Sequence, residues 1–289
     1  VFTGLIPGVH INLISAIIVS LSTLLLKHIA PIPIIIFILS MSVTHTFLDS
    51  IPSIYLGAPD ADMVLAALPG HKMLLEGKGH IAVMLTLLGG LGGLVLSIIL
   101  FPLILLILKP FAAFITPLIK YILIGLLFFL LLREQKRFTS FFIFIMAGAL
   151  GFVLFELPLK QPLLALLSGL FGVSLLLISL FETTAFPKQK KITEHIVETK
   201  QAIASIILST IVGFFAAFLP GFGASQAAIY ASIFLKKAKA DYFLILSGAI
   251  NTIAMVLSLT TFIVLQKARN GSIIAISNYV TIVTQNHII

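Results

Sequence analysis

Long apolar runs, separated by short polar or basic clusters, set the pattern of this chain. About twenty apolar residues in a helix, at about 1.5 Å each, cross a bilayer. Val9–Leu26 is the first long run, ending at Lys27-His28. Pro31-Ile-Pro33 opens the second, which turns polar within itself at Ser42, Thr44, His45, Thr46, Asp49 and Ser50. A polar stretch at that depth is predicted to face protein or water, not lipid. Gly57-Ala-Pro59 ends it, and the amphipathic Asp60–Gly79 reads as an interfacial or re-entrant connection. His80–Leu108 carries Gly89-Gly-Leu-Gly-Gly93 in its middle, where small residues let helices approach closely. Pro110–Leu132 is a separate span, closed by Arg133-Glu-Gln-Lys-Arg137. Phe141–Leu157 and Gln161–Leu180 form a hairpin over Pro158-Leu-Lys160, and Pro187–Lys200 is the one sizeable polar segment. Ala202–Leu219, Ala224–Leu235 and Tyr242–Leu265 complete about nine apolar segments judged by length. The fold class is an all-α integral membrane protein, a polytopic helical bundle.

Two stretches interrupt this pattern in the same way. Gly4-Leu-Ile-Pro-Gly-Val-His-Ile-Asn-Leu13 and Phe218-Leu-Pro-Gly-Phe-Gly-Ala-Ser-Gln-Ala227 are each an apolar run broken by Pro-Gly. The Pro-Gly pairs lie 213 positions apart (220 − 7). A break frees backbone N–H and C=O groups, and in hydrocarbon each unsatisfied group costs several kcal/mol. Such breaks persist where protein buries them or where they line a polar cavity, and a matched pair in two halves points to a transporter's binding site. Further landmarks recur in order. Val43-Thr-His45-Thr46 aligns with Ala249-Ile-Asn251-Thr252, and Glu76-Gly-Lys-Gly79 with Ala268-Arg-Asn-Gly271. Residues 1–289 thus read as one transmembrane transporter domain, with one repeat over about 1–132, a second over about 200–289, and a linking hairpin and loop over 133–199. The chain opens and closes inside apolar runs, so both ends are expected to be incomplete.

Composition narrows the class. The 289 residues are 60% hydrophobic and 10% charged, against about 25% charged in soluble domains. The net charge of +8 sits in short clusters between spans, which fits positive-inside topology better than nucleic-acid binding. With Arg133–Arg137 and Lys188–Lys200 in the cytoplasm and 158–160 outside, equivalent loops of the two halves fall on opposite faces. The repeats are then inverted, the arrangement expected for alternating access. The absence of Cys excludes disulfides and Cys metal sites.

Candidate chemistry gathers at the breaks. Helix N-termini freed by Pro7-Gly8 and Pro220-Gly221 offer N–H donors and positive dipole ends, suited to a carboxylate or phosphate. His10 and Asn12 follow the first break; Gly223, Ser225 and Gln226 follow the second. These side chains either bind an anion or ion, or satisfy freed backbone groups. His45, Thr46 and Asp49 share a span, with Asn251 and Thr252 opposite by the repeat, as candidates for a coupling Na+ or a proton. Asp49 has an alternative as an interfacial cap near Pro52. No metal constellation, nucleophile elbow or phosphate loop appears, so no cofactor and no enzymatic activity are expected. The reading is secondary active transport of an organic anion. The alternatives are a translocase for a lipid-linked phosphate and a non-transporting membrane scaffold.

Gly4-x-x-Pro-Gly, Ile51-Pro-Ser-Ile-Tyr-Leu-Gly-Ala-Pro59 and Leu68-Pro-Gly-His-Lys-Met-Leu-Leu-Glu-Gly-Lys-Gly79 resemble the large membrane subunit, TctA, of tripartite tricarboxylate transporters. The chain is most similar to the family's archaeal branch, often labelled a domain of unknown function. The resemblance spans most of the chain and includes the second Pro-Gly. It implies a multi-pass permease of a prokaryotic cell membrane, driven by an ion gradient and carrying di- or tricarboxylates. It also implies a small membrane subunit and an extracytoplasmic binding protein as partners. The chain departs from the pattern in being shorter than typical bacterial members and in placing His10 and Asn12 where small residues are usual.

Overall fold

Apolar segments this long satisfy their backbone groups internally by coiling into helices, and the computed structural model shows helices throughout. It describes residues 1–7, 9–57, 62–158, 187–190, 197–219, 222–234, 240–268 and 270–286, with 162, 166, 169, 173 and 177 between. The helices are α1 (Phe2–Leu5), α2 (Ile11–Ser20), α3 (Ser22–Leu25), α4 (Pro31–Leu48), α5 (Ser50–Tyr55), α6 (Val64–Leu75), α7 (Gly79–Arg133), α8 (Arg137–Glu156), α9 (Thr199–Phe218), α10 (Ala224–Phe234), α11 (Ala240–Leu265) and α12 (Gly271–Asn286). Six segments among the described residues are long and apolar enough to cross a membrane. The chain folds into two compact units, Val1–Ile119 with Pro187–Ile289, and Lys120–Phe186. Every candidate residue falls in the first.

Two elements differ from the sequence pattern. The run Val9–Leu26 is divided between α2 and α3 at Leu21, yet the Leu21 N–H still bonds the Ile17 carbonyl and the Leu25 N–H the Leu21 carbonyl. The helical path therefore continues through a one-residue irregularity. The separate spans expected over 80–108 and 110–132 are joined instead, because α7 stays helical through Pro102, Pro110 and Pro117. Proline removes one backbone donor and bends a helix. In apolar surroundings the neighbouring backbone groups have no better partner than the helix itself.

In the first unit α11 is the core helix, with 56% of its apolar window buried. It meets α4, α6, α9 and α10. The glycine run in α7 makes a close approach possible. A Cβ on Gly89 would collide with the Ile245 carbonyl oxygen of α11, and one on Gly248 with the Thr86 carbonyl of α7. Gly93 faces the Ala249 carbonyl, Gly92 the Ile206 side chain of α9, and Gly90 lies against Thr252 and Phe47. α12 packs on α2 and α4, through a cluster of Ile34, Ile38, Ile273, Ile276 and Tyr279. The Tyr279 hydroxyl donates to the Ile18 carbonyl at 2.9 Å.

The family-like stretch 68–79 has a local explanation. α6 ends with Gly77 at φ 79°; the Gly77 N–H bonds the Leu74 carbonyl and the Lys78 N–H the Met73 carbonyl. This double closure is a Schellman end, and its left-handed position favours glycine. Segment 187–190 docks on it: the Lys190 N–H bonds the Gly77 carbonyl at 2.7 Å, and the Gln189 side chain accepts from the Gly79 N–H at 2.7 Å.

Candidate functional site

Both breaks have the same backbone pattern. α1 ends at Ile6 and α9 at Leu219, each in extended conformation. One turn bond then spans each gap, from the Val9 N–H to the Ile6 carbonyl at 3.1 Å and from the Phe222 N–H to the Leu219 carbonyl at 3.4 Å. α2 resumes at Ile11 and α10 at Ala224. Each of these equivalences keeps the offset of the Pro-Gly pairs (219 − 6, 222 − 9, 224 − 11). Pro7 is exposed; Gly8, Pro220 and Gly221 lie outside the described residues.

Side chains close both helix starts. His10 is the N-cap of α2, and its Nδ1 accepts from the Asn12 N–H at 3.0 Å. In the neutral ring the hydrogen is then on Nε2. Asn12 is exposed and presses on the start of α12, where a Cβ on Gly271 would lie 2.8 Å from its side-chain atoms. At the second break the Gln226 Oε1 accepts from the Gly223 N–H at 3.0 Å. The Ala224 N–H faces the Asp62 Oδ1 at 3.4 Å. A carboxylate thus already lies at the start of α10, where the helix dipole favours it. Ser225 is buried beside it. Asp62 was not singled out in the sequence. Its signal was an acidic residue in a connection otherwise ending in basic ones.

The polar stretch of α4 is buried among helices, with Ser42, His45, Thr46, Asp49 and Ser50 all nearly inaccessible. Asp49 sits between α4 and α5 and makes no side-chain cap on α5, so the cap alternative fails. Its Oδ2 instead accepts from the Asn251 Nδ2 of α11 at 2.7 Å and lies 4.0 Å from the His45 Nε2. The Ser53 hydroxyl donates to the Asp49 backbone carbonyl at 2.6 Å. Thr46 and Thr252 meet hydroxyl to hydroxyl at 3.0 Å, 206 positions apart. The His10 and His45 rings stand edge to face with centroids 5.1 Å apart. The first break and the α4–α11 seam therefore form one continuous polar system.

A second concavity lies elsewhere in the unit. It is a cleft of about 450 Å³ lined by Pro69, Lys72, Met73, Glu76, Lys78, Ala240, Asp241 and Phe243. It contains none of the candidate residues.

Apolar helices on this scale, with polar side chains paired inside the bundle, define a multi-pass integral membrane protein. The profile of the tripartite tricarboxylate transporter TctA family matches residues 1–286, and the chain belongs to that family. The family is the large subunit of tripartite transporters, which also involve a small membrane subunit and a binding protein. An uncharacterized protein of Methanocaldococcus jannaschii is 31% identical over 275 residues, covering 93% of this chain and 67% of that protein. No solved structure matches the chain.

Proposed function

We propose that the chain is a secondary carrier of a small organic anion, a di- or tricarboxylate. It works by alternating access of two inverted repeats around the broken helices, without catalysis. The observation that carries this reading is the repeated break, with matching helix ends, turn bond and restart at one offset. Three further contacts support it. Thr46 and Thr252, equivalent by the sequence repeat, touch each other, as residues on a two-fold axis would. The segment after Gly79 packs on α11, while the segment after Gly271 packs on α4, an exchange of equivalent partners between halves. The Asp62 carboxylate at the start of α10 is the chemistry an anionic substrate would present there. The substrate candidates remain Pro7, Gly8, His10, Asn12, Pro220, Gly221, Gly223, Ser225 and Gln226. A small membrane subunit and an extracytoplasmic binding protein would deliver the anion.

The test is uptake by proteoliposomes of purified protein against a panel of citrate, succinate and inorganic phosphate. A carboxylate is expected to accumulate. His10→Ala and Gln226→Ala are expected to weaken its apparent affinity by about tenfold, since a charge-assisted hydrogen bond is worth about 1.5–3 kcal/mol. Lowered thermal stability with unchanged affinity in both variants would restrict these residues to capping.

The face bearing the Gly77 turn and segment 187–190 is placed in the cytoplasm. Lys72, Lys78, Lys188 and Lys190 gather there, as the positive-inside bias requires. The chain has no Cys, so Lys190→Cys gives a single reactive thiol on an exposed side chain. An impermeant maleimide is expected to label it in inside-out vesicles only. Labelling from outside intact cells would invert the assignment.

A further inference from the structure

We propose that the buried pair His45–Asp49 carries the proton that couples anion movement to the proton gradient, with Asn251 serving both charge states. This rests on the carrier reading above and names the coupling ion of the same site.

The surroundings of Asp49 select a proton over a metal cation. A hard cation needs a shell of oxygens. The Oδ2 of Asp49 meets nitrogen on both recorded sides, the Asn251 amide at 2.7 Å and the His45 ring at 4.0 Å. The neighbouring hydroxyls are engaged with each other and with their own helices, Thr46 also with the Val43 carbonyl and Thr252 with the Gly248 carbonyl. Asn251 suits a group that changes protonation. Its NH₂ donates to a carboxylate, and its carbonyl accepts from a carboxyl once the amide turns. The residue at that position therefore keeps Asp49 satisfied in either state.

The titrating groups facing one another here are few. α4 contributes His45, with Asp49 directly after it. The α2 cap contributes His10, whose Nδ1 is held by the Asn12 N–H and which therefore stays neutral while the cap is made. α11 contributes Asn251 and Thr252, α1 packs through Gly4, and α5 adds Ser53; none of these titrates. The pair with one proton is neutral overall, whether as carboxylate and imidazolium or as carboxyl and imidazole. Without it the pair carries one negative charge. An anion at the start of α2 is separated from His45 by the His10 ring alone, and so binds better when the pair holds its proton. By linkage the proton also binds better when the anion is present. The two load together, which is symport. One proton adds on one face and leaves on the other, regenerating the starting pair, and no other bond changes.

The test uses full-length protein in two formats. In proteoliposomes, citrate and succinate uptake is expected to rise about tenfold with an inward proton gradient and to be indifferent to a sodium gradient. In lightly buffered detergent, wild type is expected to take up about one proton per anion bound. Asp49→Asn should lose both responses, and Asp49→Glu, which restores the carboxyl, should recover proton uptake. Uptake driven by sodium and insensitive to pH, or proton uptake persisting in Asp49→Asn, overturns the proposal and leaves the carrier reading standing. Failure of wild type to move any anion of the panel, even by exchange, overturns the carrier reading and the proposal together.

Discussion

Alanine at Gly248 or Gly89 is expected to cost about 3 kcal/mol, at the upper end of overpacking penalties, and to reduce the yield of folded protein sharply. Neither glycine is present to permit an unusual backbone angle; both are within regular helix. What each lacks is a Cβ where the other helix's backbone passes. The Gly248 site is filled by the Thr86 carbonyl, and the Gly89 site by the Ile245 carbonyl. Carbonyl oxygens fixed in a helix cannot move aside as a flexible side chain can, so α7 and α11 must separate. Separation would pull Gly90 from Thr252 and Gly92 from Ile206, loosening the seam that holds the candidate site. Gly125, Gly148 and Gly151 are the built-in controls, because nothing lies within 4 Å of a Cβ at any of them. Alanine there is expected to be neutral or to stabilise by up to about 1 kcal/mol through helix propensity. Thermal melts of the purified variants compare the two groups. Equal behaviour of both would mean that the close approach of α7 and α11 is not structurally required.

Much of this was legible in the sequence, for reasons that can be stated residue by residue. Gly89-Gly-Leu-Gly-Gly93 announced a helix contact because small residues in an apolar span have few other uses. The polar stretch from Ser42 to Ser50 announced a buried seam because lipid does not tolerate it. The pairing of His45, Thr46 and Asp49 with Asn251 and Thr252 came from the internal repeat, which carries spatial information that a single segment does not. Proline was less informative. Pro7 marks a true interruption, whereas Pro102, Pro110 and Pro117 sit inside a continuous helix. The difference lies in the neighbours: a following glycine and a capping His10 stabilise an extended gap, while Leu, Ile and Phe on both sides offer the backbone nothing but the helix. Long-range partners were not legible. Asp62 at Ala224, Gln189 at Gly79 and Asn12 at Gly271 each join segments far apart in sequence by a single polar or steric contact, which leaves no periodic trace.

Asn251→Leu is expected to be the most damaging conservative-volume change at the seam, costing about 3 kcal/mol. The Asp49 carboxylate is buried, and the Asn251 amide donates to it at 2.7 Å. Removing one partner of a buried charged group leaves the other paying its full desolvation, about 1–3 kcal/mol for a neutral group and more for a charged one. Asp49→Leu leaves the Asn251 amide in the complementary position, at about 1–3 kcal/mol. The double variant removes both and places two apolar side chains in contact across α4 and α11. Replacing a buried polar pair by an apolar pair of similar shape is often close to neutral. The double variant should therefore be less destabilised than the sum of the singles by about 2 kcal/mol, a coupling within the range of directly contacting residues. Thr46→Val paired with Thr252→Val repeats the design one turn away, with a smaller coupling because both groups are uncharged. Thermal or denaturant unfolding of the four seam proteins closes the cycle. Strict additivity of Asn251→Leu and Asp49→Leu would show that the two side chains do not depend on one another, and the seam would then lose its role in joining the two halves.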